Sequence, residues 1–259
     1  MDRYQQLERD TPGGALTLLV PEWPAPAGVR SCSTTRAGGV SPSPFESLNL
    51  GKATGDEPGR VDENRARIVA ALGLPEMPRW LKQTHGTQVV TADEATALPV
   101  ADGCTARRSG EVCAVLTADC VPVLLCDSAG RQVGAAHAGW RGLAAGIMES
   151  SVAAFDAPPA DLLAWLGPGI GADAFEVGPE VREAFLRKDP GADAAFRPSR
   201  EDRLLADLYM LAERRLAAAG VEQVYGGGLC TYRDAARFYS HRRDGRQTGR
   251  MATLIWIEA

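Results

Sequence analysis

Residues 112–127 constrain this chain most. There Val112-Cys113-Ala114-Val115-Leu116-Thr117 and Val121-Pro122-Val123-Leu124-Leu125-Cys126-Asp127 are two apolar runs separated by the polar hinge Ala118-Asp119-Cys120. Neither run alternates apolar with polar residues, so neither can be a strand with one wet face. Such strands are covered on both sides. The chain must therefore build layers around its middle, with the hinge at the ends of two buried strands.

The rest of the chain supplies those layers. Residues 15–20 read as a short strand stopped by the Pro-rich stretch 21–26, and residues 33–56 as a long loop system rich in Gly, Ser and Pro. Apolar spacing predicts a helix over about 61–72, with Val61, Ile68, Val69 and Leu72 on its packed face. In 80–90 two strand-like pieces flank His85-Gly86, which places the histidine at a bend. A third central strand, 133–137, ends on His137, and the Gly-rich turn 138–142 feeds a helix that runs to about 155. A second helix spans about 203–219 and stops at Gly220, and strands close the chain around 224–228 and 252–257. Strands outnumber helices and are mostly joined without crossover helices, so the expected class is α+β, layered rather than doubly wound. With 259 residues and no shift in composition between its halves, 1–259 reads as one domain without an internal repeat.

Composition removes several function classes. A net charge of -5 argues against a nucleic-acid binder; the six Arg of 233–250 are interrupted by two Asp and read as a solvated surface. The charged opening residues 1–10 lack a secretory apolar core, and no run approaches the length of a membrane span. The expectation is a cytoplasmic protein with no membrane partner, its six Cys reduced and none in a Cys-x-x-Cys pair.

Two of the only three histidines, His85 and His137, end strand-like segments beside glycines, and Cys120 stands at the end of a buried strand between them. If those strand ends lie together, the three side chains make a His-Cys-His metal site. Three protein ligands leave a zinc ion one open position, the arrangement of a catalytic centre. Two readings compete on spacing alone: Cys120 as a packing residue like Cys113 and Cys126, and Cys120 as a nucleophile with a histidine base.

A resemblance weighs between them. The segments TTRAGGVS (34–41), SLNLG (47–51), QTHG (83–86), TADCVPVLL (117–125), HAGWRG (137–142), LGPGIG (166–171), FEVG (175–178), and SHRRDG with TGRMATLIW near the end make this sequence similar to the laccase-domain, or YfiH-type, family. Arg246-Gln247 is the one local departure from the pattern. The resemblance implies a four-layer αββα β-sandwich flanked by helices, with zinc held by His85, Cys120 and His137. Members are called multicopper polyphenol oxidases, purine nucleoside phosphorylases and peptidoglycan editing factors. The implied activity is phosphorolysis of adenosine, inosine and methylthioadenosine, with deamination of adenosine alongside. Two alternatives use the same site: an amidase editing peptidoglycan precursors, and copper-dependent oxidation of phenols in vitro, since copper(II) outcompetes zinc at many nitrogen and sulfur sites.

Those reactions assign expected roles to further residues. Deamination needs a carboxylate that shuttles protons to and from metal-bound water, for which Asp119 and Glu176 are the candidates. Phosphorolysis needs a phosphate held against the sugar, for which Arg36 is the first choice and Arg141 the second. Asn49 and Gln83, with paired donors and acceptors, are the candidates to read a purine edge or ribose hydroxyls. The expected partners are purine nucleosides and phosphate; the sequence leaves the oligomeric state open.

Overall fold

The computed structural model describes residues 4–11, 14–94 and 96–258; Met1, Asp2 and Arg3 of the charged opening lie outside them. Two large sheets and one small one organise the described residues. The first is antiparallel throughout, in the order β1 (Tyr4–Arg9), β2 (Leu16–Pro21), β3 (Val29–Thr34), β14 (Met251–Ile257) and β6 (Val112–Thr117). The second runs β13 (Gln223–Gly226), β9 (Leu162–Leu166), β7 (Val121–Asp127), β8 (Val133–Ala138), β5 (Gly103–Ala106) and β4 (Val89–Thr91). In it only β13 with β9 and β4 with β5 are parallel. A three-stranded sheet, β10 (Glu176–Val177), β12 (Leu204–Ala206) and β11 (Phe196–Pro198), lies apart.

The central apolar runs behave as their lack of alternation requires, with one refinement. β6 and β7 belong to opposite sheets, and the hinge 118–120 carries the chain from one to the other. Cys113 and Val115 of β6 meet Leu124 and Cys126 of β7, together with Trp165 and Ile255, in the layer between the sheets. Val112 and Ala114 face the other way, onto Ile68 and Trp80, beneath helix α1 (Pro58–Leu72). Val121, Val123 and Leu125 point outward into a core shared with α2 (Trp140–Ala145), α3 (Ile147–Ala153), α4 (Pro179–Leu186) and α5 (Leu208–Ala218). The result is helix, sheet, sheet, helix, a mixed αββα architecture.

Local chemistry moved several boundaries. Pro58, whose missing N–H costs nothing in a first turn, starts α1 three residues before the expected 61. The helix expected over 203–219 begins only at Leu208, where Asp207 accepts a hydrogen bond from the Met210 N–H. Its first apolar residues, Leu204 and Leu205, are strand instead, because β12 is paired on both sides. The helix expected to run to 155 is two short ones, broken at Gly146, whose φ of 120° ends the first turn series.

Candidate metal centre

His85, Cys120 and His137 come from three segments that the second sheet brings to one edge. On β8, His137 stands opposite Pro122 of β7, and Val121, the residue after Cys120, pairs with Ala138. Register alone therefore sets Cys120 beside the chain that leaves β8. Gly139 makes the closeness possible: a Cβ there would stand 2.6 Å from His85 Cδ2 and 3.0 Å from Cys120 Sγ. No other residue type fits without displacing both side chains.

The third member is brought in by a residue the sequence did not single out. Asp102, fully buried just before β5, accepts hydrogen bonds at Oδ2 from the N–H of Thr84 (3.1 Å), the Thr84 hydroxyl (3.2 Å) and the N–H of Gly86 (2.7 Å). Its Oδ1 accepts from the His85 N–H at 2.9 Å and lies 2.9 Å from His137 Nδ1. One carboxylate thus holds the His85 bend and orients the His137 ring, leaving the Nε2 of His137 for a ligand. Burial would raise the Asp102 pKa, but these donors outweigh it and bring it down to about 2.

The ligand atoms of His85, Cys120 and His137 all lie within 4.8 Å of one another, and Cys120 Sγ is 3.7 Å from His85 Nε2. Zinc bonds of about 2.1 Å to nitrogen and 2.3 Å to sulfur at tetrahedral angles separate such a pair by roughly 3.6 Å. The donor set fits a metal ion. Burial pushes the Cys120 thiol up, but the two imidazoles outweigh it and the net shift is downward. Burial pushes His137 down, and the Cys120 sulfur with Asp102 outweighs it, so that ring shifts up. The pair favours thiolate facing imidazolium, and the thiolate is the form that binds metal, with release of the imidazole proton.

Two backbone outliers mark the same place. Of the three described non-glycine residues at positive φ, two are His85 (60°) and Asp119 (96°). Such conformations persist where surroundings over-determine them. Asp119 is pinned by the Thr231 hydroxyl at Oδ1 (2.7 Å) and by the Arg242 N–H at Oδ2 (2.6 Å), which fixes the turn that presents Cys120.

The cluster opens into a cleft of about 620 Å³. Its walls include Leu81, Leu98, Leu116, Trp140, Ile170, Phe175 and Leu208, together with Lys52, Arg65, Lys82, Arg141, His241, Arg242 and Arg250. Of the residues expected to act, Asp119, Gln83 and Arg141 line this cleft. Gln83, however, spends its amide on β6, donating to Leu116 O and accepting from Leu116 N, both at 2.8 Å. Arg141 stacks on Trp140, 4.4 Å from the ring centre.

Arg36, Asn49 and Glu176 are not among the cleft-lining residues. Arg36 donates to the carbonyls of Glu46 and Ala235 and lies over Tyr239. Glu176 turns its carboxylate to Ser199 and Arg200, on the side of the small sheet. Asn49 is fully buried, its Nδ2 donating to Thr54 and Asp56 and its Oδ1 accepting from the N–H groups of Gly51 and Arg250. Short-range loop composition carries no record of where each loop packs, so the sequence alone does not set these three relative to the cleft.

Residues 30–258 match the family described as multi-copper polyphenol oxidoreductase laccase, and the chain belongs to that family. The purine nucleoside phosphorylase YfiH of Escherichia coli is 54% identical to it over 241 residues, 93% of this chain and 98% of that protein. A crystal structure of a Neisseria meningitidis protein superposes with a TM-score of 0.90 at 49% identity, covering 93% of this chain and 99% of that one. The YfiH protein of Bacillus licheniformis gives 0.89 at 32% identity over the full length of both.

Proposed function

We propose that the protein is a zinc-dependent purine nucleoside phosphorylase that takes adenosine, inosine and methylthioadenosine, with hydrolytic deamination of adenosine at the same site. The observation that carries this reading is the His85, Cys120 and His137 cluster in a cleft lined mainly by apolar and cationic side chains. An apolar wall suits a purine, and cations suit phosphate. Proteins of the same family named purine nucleoside phosphorylases support it.

In phosphorolysis a phosphate oxygen bonds to the anomeric carbon as the bond from that carbon to the base nitrogen breaks; the products are the 1-phosphate of the nucleoside's sugar and a free base that takes up a proton. Bound zinc supplies a Lewis acid and, for deamination, a water of lowered pKa. The protein's own residues do the rest. His85, Cys120 and His137 hold the ion, Asp102 fixes the tautomer of His137, and Asp119 shapes the Cys120 turn. With both of its oxygens committed, Asp119 acts as a positioning residue. Leu116, Ile170 and Phe175 give the cleft apolar lining.

The oxidase in the family's description needs more ligands than this chain has. Three histidines in all cannot furnish a trinuclear copper cluster and a separate blue-copper centre. A single copper on the same donors is the form in which phenol oxidation would arise.

The test is anaerobic metal analysis of wild type and Cys120→Ala, followed by incubation with inosine and phosphate. Expected are about one zinc per chain in wild type, little in the variant, and hypoxanthine release that requires both phosphate and Cys120. Hypoxanthine formed equally without phosphate would replace phosphorolysis by hydrolysis, and release by metal-free Cys120→Ala would end the proposal.

A further inference from the structure

The cations of the cleft are unusual in what they lack. Eighteen ion pairs join described residues, yet of the Lys and Arg side chains of the cleft only Lys52 takes part, with Asp62 at 2.6 Å. Most of the others reach solvent, which screens them. Arg65 and Arg250 do not share that relief: Arg65 is only 9% exposed and Arg250 is half-buried. A guanidinium withdrawn from water without a counter-ion is costly unless an anion completes it.

Both are held by one short loop. Arg65 donates from Nε and Nη2 to the Leu50 carbonyl, at 3.0 and 2.8 Å, and its guanidinium lies 4.0 Å from the Trp80 ring centre. Arg250 donates its N–H to Asn49 Oδ1 and accepts from the Leu50 N–H at its own carbonyl. Its stem packs on Gly51, where a Cβ would stand 2.7 Å from Arg250 Cγ. Arg250 Nη1 is fixed by the carbonyls of Thr248 and Gly249, at 2.8 and 2.9 Å. The hydrogen bonds of each guanidinium run to neutral carbonyl oxygens, which aim it without cancelling its charge. Arg250 lines the same cleft as Cys120 and Asp119, the negative groups that act on its charge. Burial lowers the pKa of both guanidinium groups, to about 10 for Arg65, and the charges nearby, Asp62 for Arg65 and Cys120 with Asp119 for Arg250, do not offset it.

We propose that Arg250 and Arg65, pre-aimed by the loop 49–51, form the oxoanion subsite of the cleft and hold inorganic phosphate between themselves and the metal centre. Planar guanidinium groups match a tetrahedral oxoanion through paired N–H donors. The subsite rests on the phosphorylase reading for the identity of its natural anion. It replaces Arg36, which stands outside the cleft, as the phosphate holder. It also gives Asn49 a role, fixing the backbone of Arg250 and acting through it.

The experiment is calorimetric titration of inorganic phosphate into zinc-loaded wild type, Arg250→Gln, Arg250→Lys and Arg65→Gln, with zinc content and melting temperature recorded for each. Expected is a loss of phosphate affinity of about 10- to 100-fold in Arg250→Gln, a smaller loss in Arg250→Lys, which keeps stem and charge, and inosine affinity within about twofold of wild type. Phosphate bound as tightly by folded Arg250→Lys and Arg65→Gln as by wild type overturns the subsite, as does wild type that binds no phosphate at millimolar concentration. If wild type binds phosphate through Arg250 but releases no base from inosine, the subsite stands and the phosphorylase reading falls.

Discussion

The two walls of the cleft are built on opposite principles. The metal wall stands on the ends of paired strands, with Asp102 holding the His85 bend and the His137 ring, and Asp119 the Cys120 turn. In the cationic wall Arg65 comes from helix α1 and Arg250 from the segment before β14, both anchored at the loop 49–51, and the hydrogen bonds of these two guanidinium groups run only to carbonyl oxygens. The first is finished except for an ion that thiolate and imidazole select. In the second, Arg65 and Arg250 have no carboxylate of the described residues within ion-pair distance, which leaves them open to an incoming anion. A reaction joining a metal-dependent step to an anionic co-substrate needs one wall of each kind.

The sharpest way to break that division is Asp102→Asn. The amide keeps one acceptor but turns N–H groups toward the backbone donors of the His85 bend, leaving buried donors unpaired at a cost of about 3 kcal/mol. Loss of the carboxylate beside His137 lowers zinc affinity by about 10- to 100-fold. Competition with a chelating dye measures this, and phosphate affinity of the zinc-saturated variant should stay within about twofold of wild type. A variant that kept zinc and lost phosphate would show that the walls are not separate.

The converse substitution is Asn49→Ala, expected to act in the other direction. It leaves the N–H groups of Gly51 and Arg250 without their acceptor, for a stability loss of about 2 kcal/mol in chemical denaturation. The displaced Arg250 should raise the KM for phosphate about tenfold, because small shifts of a binding group weigh heavily on a positioned reactant. Zinc content should not change. Zinc loss with an unaltered KM would sink the role assigned to the loop.

The same contrast explains what the sequence made legible. His85, Cys120 and His137 stood out because strand ends next to glycines are visible in local patterning, and layering followed from runs that do not alternate. Asp102 did not, since its four backbone and side-chain partners lie more than fifteen residues away. Arg65 was in view and passed over: four residues after Val61 and three before Ile68, it occupies the packed stripe of α1, where a charge calls for an explanation. Arg250 lay in a run read as a solvated surface, and its burial depends on Gly51, 199 residues earlier in the chain. Arg36, Asn49 and Glu176 were chosen for residue type in loops, and which way a loop side chain turns is decided by packing.

Glu176 gives the smallest expected effect and the cleanest check on reading a role from position. Phe175, its neighbour, lines the cleft, and the Glu176 carbonyl accepts from Arg242, so the backbone here does border the site. The carboxylate points away, accepting from Ser199 at 2.9 Å and Arg200 at 3.2 Å in an exposed setting. Exposed pairs of this kind contribute about 0–1 kcal/mol. Glu176→Gln keeps the acceptor for Ser199 and should leave zinc content, phosphate KM and deamination of adenosine within about twofold of wild type. A deamination rate lowered a hundredfold or more would mean that the loop swings the carboxylate into the cleft during turnover. Proton transfer would then belong to a moving segment, and neither fixed wall would be complete without it.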